Sequence, residues 1–104
     1  MFTINIIPRD AGNRADHKLA DVELHFTAAA GALARLKLIG FTVGELPGQG
    51  RYVTYPACHV ESVDGVPRTV HLLRQIDDDG TFDRIRERIL DAYAEYDQRN
   101  TEAL

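Results

Sequence analysis

The chain has 104 residues, the length of one domain able to bury a single hydrophobic core. Apolar residues at 44% and charged residues at 27% exclude a disordered chain, and the single cysteine excludes an internal disulfide. Twelve basic against sixteen acidic residues give a net charge of −4, which excludes the broad basic surface of a purely electrostatic nucleic-acid binder while leaving room for a local patch.

Phe2, Ile4 and Ile6 alternate with Thr3 and Asn5, a short strand pattern stopped by Pro8. The apolar run here is too short for a signal-peptide core and lacks a basic lead-in, and no segment reaches the length of a membrane span, so a cytoplasmic protein is expected. Residues 8–17 are polar and read as a loop, which makes 1–17 an N-terminal extension carrying at most one extra strand. Ala20, Val22, Leu24 and Phe26 then alternate with Asp21, Glu23 and His25, the cleanest strand in the chain.

The following stretch, TAAAGALARLKLIGFTVGEL, supports two readings. Alternation of Leu36 and Leu38, resumed on the opposite parity by Phe41 and Val43, predicts a bent strand from about Ala32 to Leu46 with a bulge at Ile39-Gly40. The alanines instead favour a short helix, capped by Thr27 and ending near Gly40. Pro47-Gly48-Gln49-Gly50 is a turn signal leading into a strand at Tyr52–Tyr55, and Pro56 ends that strand or marks an edge. Asp64-Gly65 marks a loop, after which Arg68–Leu73 alternate again, with Val70 and Leu72 on one side. From Phe82 the period changes: Ile85, Ile89, Tyr93 and Tyr96 follow at steps of three and four, an amphipathic helix with Thr81 as N-cap and fraying expected after Asp97. The order predicts an α+β domain over 18–97, a small antiparallel β-sheet with one C-terminal amphipathic helix packed on it, and a frayed tail over 98–104.

Cys58 directly precedes His59, a pair that suggests nucleophilic chemistry. Neighbours in an extended chain point to opposite faces, so the dipeptide is badly placed to act as its own dyad, and an ordinary strand-end cysteine is the stronger reading. His17, His25, His59 and His71 show no metal-ligand spacing, although His25 and His71 share a surface if their strands are neighbours. Asp77-Asp78-Asp79-Gly80 lacks the alternating ligands of a calcium loop, and PGQG lacks the helix that a phosphate loop needs. No catalytic residue, metal, cofactor or small-molecule ligand is indicated. Arg84, Arg86 and Arg88, with Arg74 nearby, form a candidate phosphate-contacting ridge, although Arg84/Glu87 and Arg88/Asp91 are spaced for i,i+3 ion pairs on a solvated face.

The order of these pieces resembles the stage V sporulation protein G family of bacterial regulators. It is carried by Asp21-Val22-Glu23-Leu24, by Ala32–Leu38, by Tyr52-Val53-Thr54-Tyr55-Pro56-Ala57, by Asp64-Gly65, and by Ile85-Arg86-Glu87-Arg88-Ile89-Leu90-Asp91-Ala92-Tyr93. The likeness spans residues 19–96. Residues 1–17 have no counterpart in the family, the segment at Ile39-Gly40 is shorter, Cys58 and His59 stand where the family carries basic residues, and Leu72-Leu73 replace its His-Pro. The resemblance implies a small non-catalytic septation-type regulator that binds DNA or RNA as a homodimer. Arg68, Arg74, Arg84, Arg86, Arg88 and His59 are the expected contacts. The alternative is a protein–protein interaction module of the same fold with no nucleic-acid binding.

Overall fold

The computed structural model describes residues 1–9 and 17–102; the loop expected over 8–17 lies mostly outside the described residues. Strands β1 (Phe2–Pro8), β2 (Lys18–Phe26), β3 (Lys37–Leu46) and β4 (Gly50–Thr54) form an antiparallel sheet in chain order, and β5 (Ala57–Glu61) and β6 (Pro67–His71) form a separate two-stranded sheet. Helix α1 (Thr81–Glu102) packs across β1, β3 and β4. The architecture is α+β, with the helix on one face of the sheet.

The alternation of β2 sets that face. Ala20, Val22 and Leu24 are fully buried, and register places Ile4 and Ile6 of β1 opposite Leu24 and Val22. β1 is thus paired along its whole length with β2 and forms one edge of the sheet. On β3, Leu38 opposes Leu24 and Phe41 opposes Val22, three steps against two, so the extra residue falls at Ile39-Gly40. The bulge returns Phe41 and Val43 to the helix side, where both are fully buried with Ile89 and Tyr93. Gly40 holds φ at +107°, and a Cβ there would sit 3.0 Å from Pro56 Cβ, so the position needs a glycine twice over. On the sheet's other face the ring of Tyr52 lies over Gly44, where an added Cβ would sit 2.3 Å from the ring.

Both readings of the preceding segment are partly right. The strand begins only at Lys37; Ala28–Leu33 are 3-10 turns joined at Gly31, and Thr27 uses its hydroxyl to bond Met1 O and not to cap them. Short 3-10 turns fit a segment with no buried residue, because a longer helix here would have no apolar stripe to pack.

The helix begins differently from the expectation. Gly80 O accepts from Arg84 N, which makes Gly80 the N-cap and places Thr81 inside the helix. Asp79 Oδ1 accepts from Thr81 N and from its hydroxyl, and Gln75 Oε1 accepts from Phe82 N at 2.8 Å. At the other end the helix runs through Glu102, past Asp97, where Asp97 meets Arg51 of β4 at 3.0 Å. Arg51 also lies over the Tyr93 ring, 4.7 Å from its centre.

The hairpin β5–β6 stands apart. Its ladder starts where Leu72 N donates to Pro56 O, and nearly all its side chains are exposed. The Cα radius of gyration, 15.7 Å, exceeds the ~13 Å of a compact domain of ~100 residues, as a projecting arm requires.

Two substitutions test this packing by chemical denaturation. Ile89→Ala, at a fully buried position, is expected to cost roughly 2–5 kcal/mol. Gly40→Ala is expected to cost about 1–3 kcal/mol through strain at positive φ, while a change such as Gly48→Ala, with open space around it, lacks the steric part of that cost.

Candidate nucleic-acid interface

Two of the candidate arginines on α1 share one flank and the third lies on the other. Arg84 and Arg88 are one turn apart. Arg88 turns onto β1, its guanidinium 4.1 Å over the Phe2 ring and its Nη2 donating to Phe2 O at 3.3 Å. Arg84 folds back to the helix start, donating to Asp79 O at 3.1 Å and to Thr81 Oγ1 at 3.2 Å. Arg86 pairs with Asp83 at 3.3 Å, close enough to Tyr55 for its charge to act on the phenol. The i,i+3 pair formed is therefore Arg86 with Asp83, and not Arg84 with Glu87 or Arg88 with Asp91: acceptors at the helix start and the β1 ring offer Arg84 and Arg88 better partners than a solvated carboxylate. The single ridge expected from the sequence is not assembled.

The hairpin carries the others. Arg68 opposes Val60 on one face, together with Cys58 and Val70; His59 opposes Thr69 on the other, with His71 one diagonal step away. His59 Nδ1 lies 3.2 Å from Thr69 Oγ1, so its polar partner is across the ladder and Cys58 points the opposite way. The Arg68 side chain makes no hydrogen bond or ion pair with the described residues. Arg74 follows the hairpin, and its Nε donates to His71 O at 3.1 Å.

At the base of the hairpin an open cleft of about 460 Å³ is lined by Tyr55, His71, Leu73, Arg74, Gln75 and Phe82. Tyr55 and Phe82 stack with centres 4.5 Å apart, and Tyr55 donates its hydroxyl to Phe82 O at 2.8 Å. Burial pushes the Tyr55 phenol above its ordinary range, which keeps that donor protonated. Arg74 and His71 line the cleft beside the Tyr55 and Phe82 rings, His59 follows on the same face of the hairpin, and Arg68 lies on the opposite face. Sequence reasoning missed His71 as a member; its signal was the shared parity of His59 and His71 across Asp64-Gly65. The cleft sets the Arg74 cation beside aromatic rings, the combination that suits phosphates and bases together.

The sheet face away from the helix is occupied by its own ion pairs. Asp21 meets Arg9 at 2.9 Å; Glu23 meets His25 at 2.9 Å and Lys37 at 3.3 Å. The His25 hydrogen bond, with Lys37 beside it, holds the Glu23 carboxyl below the usual range. His25 and His71 sit in different sheets, so the shared surface considered for them does not form. Among the described residues, no group of three or more His, Cys, Asp or Glu side chains is placed to hold a metal ion, and no helix is long and apolar enough to cross a membrane.

Compared with known proteins, the chain matches no family model, no curated protein and no solved structure.

Two measurements probe the cleft and the helix start. Tyr55→Phe keeps the ring stack and removes one hydrogen bond, so a loss of about 0.5–1.5 kcal/mol is expected in a denaturant titration. Hydrogen bonds from Thr81 hold the Asp79 carboxyl below its ordinary value. Its contribution is therefore present above the unfolded pKa of ~3.9 and lost as pH falls through the lower folded value. Amide resonances of Thr81–Arg84 are expected to shift with that acid transition, and Asp79→Ala to abolish it.

Proposed function

We propose that the protein is a non-catalytic regulator that binds DNA or RNA as a homodimer, through the hairpin and the cleft at its base. The observation that carries this reading is the projecting two-stranded ribbon, its faces open to solvent, with the Arg68 side chain unpartnered among the described residues on one face, His59 and His71 on the other, and Arg74 at its base. A two-stranded ribbon is of a size that the DNA major groove admits, and a cleft pairing Arg74 with aromatic side chains suits an unstacked base. The resemblance to the sporulation regulator family points the same way. In this reading Arg68 and Arg74 are the principal phosphate contacts, His59 and His71 supplement them, and Arg86 and Arg84 lie farther along α1. Arg88 serves mainly to hold β1 to the helix.

A second reading, a protein-interaction module of the same fold, draws on a specific feature. Val63 and Ile76 are almost fully exposed, Val66 and Leu72 more than half, and Arg68 and Arg74 are offset locally by Glu61 and Asp64.

Mobility shifts at two salt concentrations separate the two. Under the nucleic-acid reading the parent binds with steep salt dependence. Arg68→Ala with Arg74→Ala is expected to weaken binding to all sequences about equally. It is also expected to flatten the log–log salt slope by ~0.9 for each phosphate no longer neutralised on duplex, or ~0.7 on single strands. Arg88→Ala is expected instead to lower stability by about 0.5–2 kcal/mol, the cation–π range, with a smaller effect on the salt slope. A parent with no salt-dependent binding leaves the interaction-module reading.

A further inference from the structure

The outer edge of β1 lies across the sheet from β4, and among the described residues no strand pairs with it. Two bonds at the ends of the β1–β2 ladder fix which backbone groups face outward. Thr27 N donates to Met1 O and Arg9 N donates to Leu19 O, so the odd-numbered residues of β1 turn their N–H and C=O toward β2. Phe2, Ile4, Ile6 and Pro8 turn theirs to the open side. Phe2 O accepts from Arg88 Nη2 there, and Pro8 has no N–H. Both groups of Ile4 and both groups of Ile6 are left, a template for one short strand.

The side chains of the same two residues are incompletely covered. Ile4 and Ile6 oppose the fully buried Leu24 and Val22, yet they are only half-buried themselves. Beside them α1 leaves a furrow, because it passes this edge with the small Ala92. The furrow consists of two open clefts in line along β1. One, of about 470 Å³, lies between Phe2–Ile4 and Arg88, Asp91 and Glu95. The other, of about 300 Å³, lies between Ile4–Ile6 and Ala92, Tyr96 and Arg99. A docked helix would fill the furrow and leave the edge groups unpaired. An added strand meets both: its backbone bonds Ile4 and Ile6, and alternate side chains drop into the clefts.

The charges beside the furrow state which side chains those are. Asp91 and Glu95 stand one turn apart on α1, both exposed. Asp91 has no hydrogen bond or ion pair among the described residues, and Glu95 reaches only Arg99, at 3.8 Å. Arg88 is committed to the Phe2 ring and carbonyl. The cleft at Phe2–Ile4 therefore suits a basic side chain. The cleft at Ile4–Ile6 suits an uncharged one, since Glu95 and Arg99 offset each other there.

We infer that an extended segment of another protein, with a lysine or arginine two positions from an uncharged residue, adds to the outer edge of β1 as a further strand. This goes beyond the nucleic-acid reading, which uses the hairpin. It also concerns a strand that has no counterpart in the family the chain resembles.

The probes are short capped peptides in which threonine alternates with one valine and one lysine, in both sequence orders, added to the unmodified chain at millimolar concentration. With one of the two orders, the amide resonances of Ile4 and Ile6 are expected to shift and their hydrogen exchange to slow. Replacing the peptide's lysine by glutamate is expected to weaken binding by about five- to tenfold. Asp91→Lys with Glu95→Lys, at exposed positions, is expected to reverse that preference. Methylating the peptide nitrogens that face β1 is expected to abolish binding, which loss of side-chain contact alone would not do. The proposal is overturned if neither order moves Ile4 and Ile6, if binding survives N-methylation, or if it ignores the charge reversal. If the free chain already protects these two amides, and more so as its own concentration rises, the edge belongs to a second copy and the proposal fails as well.

Discussion

The contact between Gly40 and Pro56 decides the shape of the molecule. Gly40 has no side chain and holds a φ that other residues avoid, so β3 bulges there and Pro56 can press against it. The bulge is what puts Phe41 and Val43 on the same face as Val22 and Leu24; without it their parity would turn them toward the polar face. Pro56 contributes the opposite effect. Lacking an N–H, it ends the ladder between β3 and β4, and the chain beyond it pairs with β6 alone. One contact therefore completes the core beneath α1 and launches the hairpin away from it.

Much of the core was legible in the sequence for simple reasons. Alternation over Ala20–Phe26 and the three-and-four spacing from Phe82 to Tyr96 report one buried face each, and both faces meet in the structure. The parity switch at Ile39-Gly40 was legible too, because a period-two pattern that changes phase at a glycine has few structural explanations. The start of β3 was not. Alanine-rich sequence fits strand, helix or 3-10 turn equally well when nothing packs on it, and Ala28–Leu33 bury no residue. Nor was the separation of the hairpin, since Pro56 at an edge and Pro56 at a change of partner look alike in a sequence.

The candidate site was less legible still, and the arginines show why. Charge and spacing placed Arg84, Arg86 and Arg88 on one helix, but their partners differ: Phe2 of a distant strand for Arg88, and the helix start, Asp79 O and Thr81 Oγ1, for Arg84. A guanidinium has five donors and seeks nearby acceptors, so its availability depends on tertiary neighbours that periodicity does not reveal. Arg68 escapes because it stands on a two-stranded arm with little around it. The same isolation that marginalises the hairpin as a sheet is what leaves its cation available.

The hairpin has two independent kinds of surface. Its edges carry backbone donors and acceptors, and its faces carry side chains, which alternate at every residue. The polar face carries His59 and His71, with Arg74 at the base. Ordering such an arm costs entropy, and contacts that hold it before a ligand arrives remove that cost from the binding step.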